Sequence, residues 1–153
     1  MKTVAASEQW AWLFPLTYLV HIGDEYASGE GFPSWIEETL GAQLAPAEFL
    51  WLNVAALVLM TSGVLLATRR RSHRWVIPCL SVIVAVNALL HIAGSVAFRS
   101  LSPGTISAAA LWLPLGLWML RREARARSRR AFGGGAVTGL FISFLICWLT
   151  LTV

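Results

Sequence analysis

The sequence predicts an all-α protein, a polytopic membrane helix bundle of five transmembrane helices folded as one domain over 1–153. Three observations predict it. Apolar residues make up 57% of the chain and charged residues only 13%, against about half and about a quarter in an average soluble domain. A soluble fold of this size has too little interior to hide that much apolar surface. The apolar residues gather in five runs, most of them near the roughly 20 residues that cross a bilayer. Finally, ten of the twelve basic residues fall in two short clusters between those runs, 69–74 and 121–130. The same composition disfavours a secreted disulfide scaffold and a disordered tail. The net charge of +4 would suit a nucleic-acid partner, but neither basic cluster is interleaved with base-stacking aromatics, so none is expected.

The first helix is placed at about 4–26. It carries Glu8, Gln9 and Pro15 and ends on His21, Asp24 and Glu25. The outer loop 27–48 follows, opened by Gly29, Gly31 and Pro33. Within it Ser34 suits the N-cap of a short helix, whose Trp35, Ile36, Leu40 and Leu44 would lie on the bilayer surface. Pro46 sits near the first turn of the second helix, 49–68. The third, 75–98, has Pro78 in its first turn. Ser102-Pro103-Gly104 then makes a turn in which Gly104 permits a positive φ. The fourth helix, 105–120, contains Pro114. Gly133, Gly134 and Gly135 give local flexibility where the fifth, 131–153, begins. In that helix Gly135, Gly139 and Ser143 form a small-xxx-small series, which means close helix packing, within the chain or in a homodimer.

Orientation follows from the loops. Linker 69–74 carries four bases and no acid, and linker 121–130 six bases and one acid, whereas 23–48 carries six acids and no base. Basic loops stay in the cytoplasm. The N-terminus, with Lys2, is therefore expected inside and the C-terminus outside, in a bacterial inner membrane. Arg99 is the one exception. The expected depths of Cys79 and Cys147 differ by roughly 15 Å, beyond disulfide reach. The tryptophans 10, 12, 51, 75, 112, 118 and 148 mostly fall near helix ends, as interfacial belts do.

Ionisable residues inside a bilayer are costly and are usually paired or functional. His21, Asp24 and Glu25 stand at i, i+3 and i+4 and share a helix face. Asn87, His91 and Ser95 form a polar stripe on the third helix. With the expected orientation, His21, Asp24, Glu25, His91, Glu48 and Asn53 all fall in the outer half of the membrane, and Asn87 nearer the midplane. That agreement argues for one site between the first three helices. His21, Glu25 and His91 are its centre. Asp24 and Glu48 are candidate ligands or acid–base partners, and Asn87 would orient His91 or substrate. Glu48, Asn53 and Trp51, at the outer mouth of the second helix, are candidates for contacting substrate.

Three chemistries suit such a set. His21, Glu25 and His91 could hold a transition metal such as zinc or iron. Without metal, the same groups could split into an acid and a base. Or they could be a buried network that ties helices together. The apolar surroundings favour a membrane lipid or apolar small molecule as substrate if the site is catalytic. The alternative is a non-catalytic membrane protein that binds a lipid or partner helices.

The ordered motifs His21-Ile-Gly-Asp24-Glu25, Phe32-Pro33-Ser-Trp35, Asn87-Ala-Leu-Leu-His91 and Ser102-Pro103-Gly104-Thr105 resemble those of the HXXEE family of small bacterial membrane proteins, over about residues 10–120. The family signature is a histidine, two spacers and paired acids, then an Asn-xxx-His helix and a Pro-Gly. Here the first acid is Asp24 where the family has Glu, one methylene shorter. The resemblance implies a site at these residues and names no reaction.

Overall fold

The computed structural model describes residues 9–152. The expected start of the first helix at residue 4, with Lys2 and Glu8, lies outside them. Six helices follow one another. A 3-10 turn, Trp10–Trp12, leads into α1, Leu13–Ala27. Next come α2, Phe32–Leu40, and α3, Pro46–Arg69. After a 3-10 turn at Arg71–His73 comes α4, Val76–Phe98. The helix α5, 105–126, runs as Thr105–Ser107, a π-helical segment Ala108–Trp112, and Leu113–Ala126. The last helix, α6, is Arg129–Thr152.

Three stretches are long and apolar enough to cross a membrane: Pro46–Arg69, Arg71–Phe98 and Arg129–Thr150. The middle one is the axis of the bundle. Of its apolar window 56% is buried within the protein, against 22% and 17% for the other two. It packs on α5 along one side and on α6 along another, while α1 packs on α3. Phe14 and Tyr18 of α1, Met60 and Val64 of α3, Ile77, Leu80 and Val84 of α4, and Trp112, Leu115 and Met119 of α5 form one core.

Several local expectations hold. Pro46 opens α3, and the Glu48 carboxylate accepts from the Ala45 N–H at 3.2 Å. Gly104 has φ +87° and turns the chain from α4 into α5. Both cysteines are free. Pro114 follows a π segment. Proline removes a donor and crowds the preceding turn, and a wider turn relieves that conflict.

Other expectations are corrected. The fourth helix does not stop at residue 120 but runs to Ala126, because Glu123 turns inward to 3% exposure and pairs with Arg127. The link to α6 is only residues 127–128. The loop helix starts at Phe32 rather than at a Ser34 cap, since Gly31, with φ +86°, turns the chain back over the bundle end. Of the four apolar residues expected on the bilayer surface, Leu40 is exposed, at 46%, and the others turn toward the protein. Ile36 and Leu44 are buried in the protein, and the Trp35 indole fits against Gly94, where a Cβ would stand 3.0 Å from its Cη2.

The glycines of α6 lie inside the helix, and two of them, Gly135 and Gly139, serve close approach. A Cβ on Gly135 would stand 2.7 Å from Pro78 Cγ, and one on Gly139 would stand 2.6 Å from Cys79 O and 2.9 Å from Val82 Cβ. The Gly135–Gly139–Ser143 face is therefore filled by α4 of the same chain. Of the two expected uses of this series, packing within the chain is the one the structure shows. A Gly139→Leu variant should lose about 1–3 kcal/mol through overpacking, read as a lower thermal midpoint in detergent. Gly134→Leu, where a Cβ meets nothing within 4 Å, should unfold like the parent.

Candidate metal centre

His21 and Glu25 lie one turn apart on α1, so one face carries both. Both are buried, at 1% and 5% exposure. His91 arrives from α4, also buried. Glu25 Oε1 stands 3.6 Å from His21 Nε2 and 3.3 Å from His91 Nε2. The two imidazoles meet edge to face with centroids 4.9 Å apart. One ligand atom from each of the three residues falls within 4.8 Å of the others. Two nitrogens and a carboxylate oxygen at this spacing could hold a metal ion.

The expectation that His91 takes its acid from another helix is met by Glu25. The walls differ from the expected ones. The third wall is the start of α5, not the second spanning helix. Gly104 closes the site from above: a Cβ there would stand 2.8 Å from Glu25 Cγ, 3.0 Å from His21 Cε1 and 3.1 Å from His91 Cε1. Ser107 Oγ lies 2.8 Å from His21 Nδ1, and Ser102 Oγ lies 3.2 Å from His91 Nδ1. Trp112 stacks on the His21 ring at 3.9 Å between centroids and on Tyr18 at 5.5 Å. From the loop helix, the Phe32 ring lies 5.2 Å from that of His91.

The remaining sequence candidates separate. Asp24 turns away from the metal-ligand atoms and accepts from Ser107 N and Ser28 Oγ at 2.8 and 2.7 Å. Asn87 lies beside His21, close enough to act on it as a hydrogen-bonding neighbour, though neither its buried Oδ1 nor His21 Nε2 has a well-formed hydrogen bond. Asn53 is one layer out: it accepts from the Tyr18 hydroxyl at 2.7 Å. Glu48 is not at the site. It is exposed and occupied at the start of α3. Trp51 is 72% exposed and faces outward, so neither it nor Glu48 contacts this centre.

Ser107 and Trp112 were not singled out from the sequence as site residues, and Ser102, Gly104 and Phe32 entered the site only through the motifs of the family resemblance, with no role in it assigned. Trp112 read as a belt residue. It is 2% exposed and carries a buried, unpartnered Nε1. Pro114 was the available signal, because the π segment it accompanies is what ends on Trp112.

A family model described as "Protein of unknown function with HXXEE motif" matches residues 12–119. The chain belongs to the HXXEE family. No curated protein and no solved structure matches it. In this HXXEE protein the motif histidine and second acid, His21 and Glu25, face the same centre. The first acid, Asp24, does not; it reaches Ser107 instead.

Proposed function

We propose that this HXXEE protein is a small integral membrane enzyme. His21, Glu25 and His91 hold one transition metal, zinc or iron, and the substrate is lipid-like or otherwise apolar. The observation that carries this reading is the convergence of two imidazole nitrogens and a carboxylate oxygen in a buried space, with His21 Nε2 left without a hydrogen-bond partner. Buried polar atoms are rarely left so. Three protein ligands leave a metal coordination position open, as in catalytic rather than structural zinc sites. A bound metal would act as a Lewis acid or would acidify a bound water. Asn87 Oδ1 is the free acceptor beside it, suited to orienting that water or a substrate hydroxyl. Phe32 and Gly104 keep bulk water from the centre.

An apolar substrate fits the surroundings. Leu16, Leu19 and Val20 of α1, Leu59 of α3, and Phe141 and Phe144 of α6 are all more than half exposed, a surface for acyl chains. The exposed face of α1 supports counting α1 and α5 as shorter crossings beside the three long ones. That gives five spans in a bacterial inner membrane, with the N-terminus and both basic clusters cytoplasmic.

A second reading is a non-catalytic protein in which the same groups only tie helices together. The Ser95 hydroxyl favours it, lying 2.8 Å from Thr105 Oγ1 and accepting from Ser102 N at 2.9 Å. Elemental analysis of detergent-purified protein separates the two. About one equivalent of zinc or iron is expected in the parent, and His91→Ala should lose most of it. Parent protein free of transition metal would overturn the metal reading.

A further inference from the structure

We propose that Asp24 and Ser107 are positioning residues for His21, holding its imidazole with the proton on Nδ1 so that Nε2 keeps its lone pair for the metal. The inference rests on the metal reading for its purpose but on hydrogen-bond bookkeeping for its content. Ser107 Oγ has three close polar neighbours: Asp24 Oδ2 at 2.8 Å, Gly104 O at 3.1 Å and His21 Nδ1 at 2.8 Å. A serine hydroxyl has one proton to donate. The carboxylate and the carbonyl offer only lone pairs, so that proton points at one of these oxygens. Asp24 is the shorter contact and the stronger, charged acceptor. The Ser107 lone pair then faces His21, and the Nδ1–H must be the donor.

The rest of the site holds this chain in place. Asp24 Oδ2 also accepts from the Ser107 backbone N–H at 2.8 Å, and Ser28 Oγ anchors Asp24 Oδ1 at 2.7 Å. The Trp112 indole stacked on the ring at 3.9 Å fixes the ring plane. With the proton on Nδ1, His21 Nε2 is an acceptor, and it faces Glu25 Oε1 at 3.6 Å. A lone pair opposite a carboxylate oxygen is satisfied by a metal cation or by a proton on the carboxyl group, and the metal reading takes the first. His21 Nε2 makes no well-formed hydrogen bond even with the Asn87 side chain beside it, which accords with this tautomer. In water, a neutral imidazole prefers its proton on Nε2, so the protein imposes the less common form. Outer partners of this kind orient metal-binding histidines, and their loss typically costs ten- to a hundredfold in metal affinity.

His91 does not share the assignment. Ser102 Oγ lies 3.2 Å from its Nδ1 and 3.3 Å from Pro103 O, and without the charged acceptor the direction of that bond is not forced. The role of the first motif acid follows. Asp24 acts on the centre through Ser107, at one remove from the metal.

The test is nitrogen NMR of metal-free, detergent-purified protein carrying 15N in its histidine rings, with His73→Gln and His91→Gln variants to assign the His21 signals. The Nδ1–H form is expected for His21 in the parent, and Ser107→Ala should move it toward the Nε2–H form. That variant keeps the backbone bond to Asp24 and removes only the hydroxyl. Asp24→Asn should disturb the tautomer, and Asp24→Glu, which keeps the carboxylate, should restore it. Affinity for Co2+, read from its visible absorption, should fall ten- to a hundredfold in Ser107→Ala. A parent His21 carrying its proton on Nε2, or a Ser107→Ala protein with an unchanged tautomer, would overturn the positioning role even if Co2+ binds. Parent protein that takes up no Co2+ would sink the metal reading alone, because the tautomer result decides the positioning role by itself.

Discussion

Gly104→Ala is expected to destabilise the protein by about 2–5 kcal/mol and to empty the centre of metal. Two costs add. Gly104 has φ +87°, a left-handed backbone that costs an L-residue with a side chain roughly 1–2 kcal/mol. The new methyl group would also stand 2.8 Å from Glu25 Cγ, 3.0 Å from His21 Cε1 and 3.1 Å from His91 Cε1. Overpacking of that kind costs about 1–3 kcal/mol. All three crowded side chains are the proposed ligands, so relief by moving any of them breaks the donor set. Gly41→Ala isolates the first cost. Gly41 has φ +71° and a Cβ there meets nothing within 4 Å, so that variant should lose only about 1–2 kcal/mol and keep its metal. Thermal unfolding and metal content of the two variants, measured side by side, check the argument. Equal losses in both would show that Gly104 is needed for its backbone alone.

Glu25→Gln is expected to lower metal content at least a hundredfold with little loss of fold. Glu25 is the one residue whose oxygen faces both imidazoles, at 3.6 and 3.3 Å. The amide has the same shape but no charge, and a neutral amide oxygen is a far poorer partner for a divalent cation than a carboxylate. The fold should survive, because the amide can still accept from one histidine and its NH2 can donate to His21 Nε2, which has no hydrogen-bond partner in the parent. Relief of a strained site by its neutral isostere is a common trade of function for stability. Metal analysis and the thermal midpoint of metal-free protein test the two halves. A variant that keeps a full equivalent of metal would remove Glu25 from the ligand set.

The failures of expectation share one physical origin. Glu48 and Glu25 look alike as membrane-edge acids, yet Glu48 is used locally by the Ala45 N–H three residues away. Trp112 and Trp118 look alike as belt residues, and only the π segment turns Trp112 onto His21. Trp35 has the spacing of a bilayer-lying helix. The turn at Gly31 brings it over the bundle instead, where it packs on Gly94 and 5.8 Å from Phe98.

The sequence by itself determined the helical class, the presence of helices long and apolar enough to cross a membrane, and the convergence of His21, Glu25 and His91. Composition and run length decide the first two, because apolar runs flanked by arginine clusters have few other places to go. The trio was legible because ionisable residues are too costly in lipid to stand alone, and helical spacing put His21 and Glu25 on one face. Only the tertiary structure decided which helices wall the centre. It put the start of α5 where the second spanning helix was expected, and it sent Asp24 to Ser107 rather than to the metal ligands. It also made Gly104 the roof and set Gly135 and Gly139 against α4. These outcomes depend on how far apart helix axes sit and how each is rotated. Both are set by contacts between residues distant in the chain, such as Ser107 and His21, 86 positions apart, which no local pattern encodes.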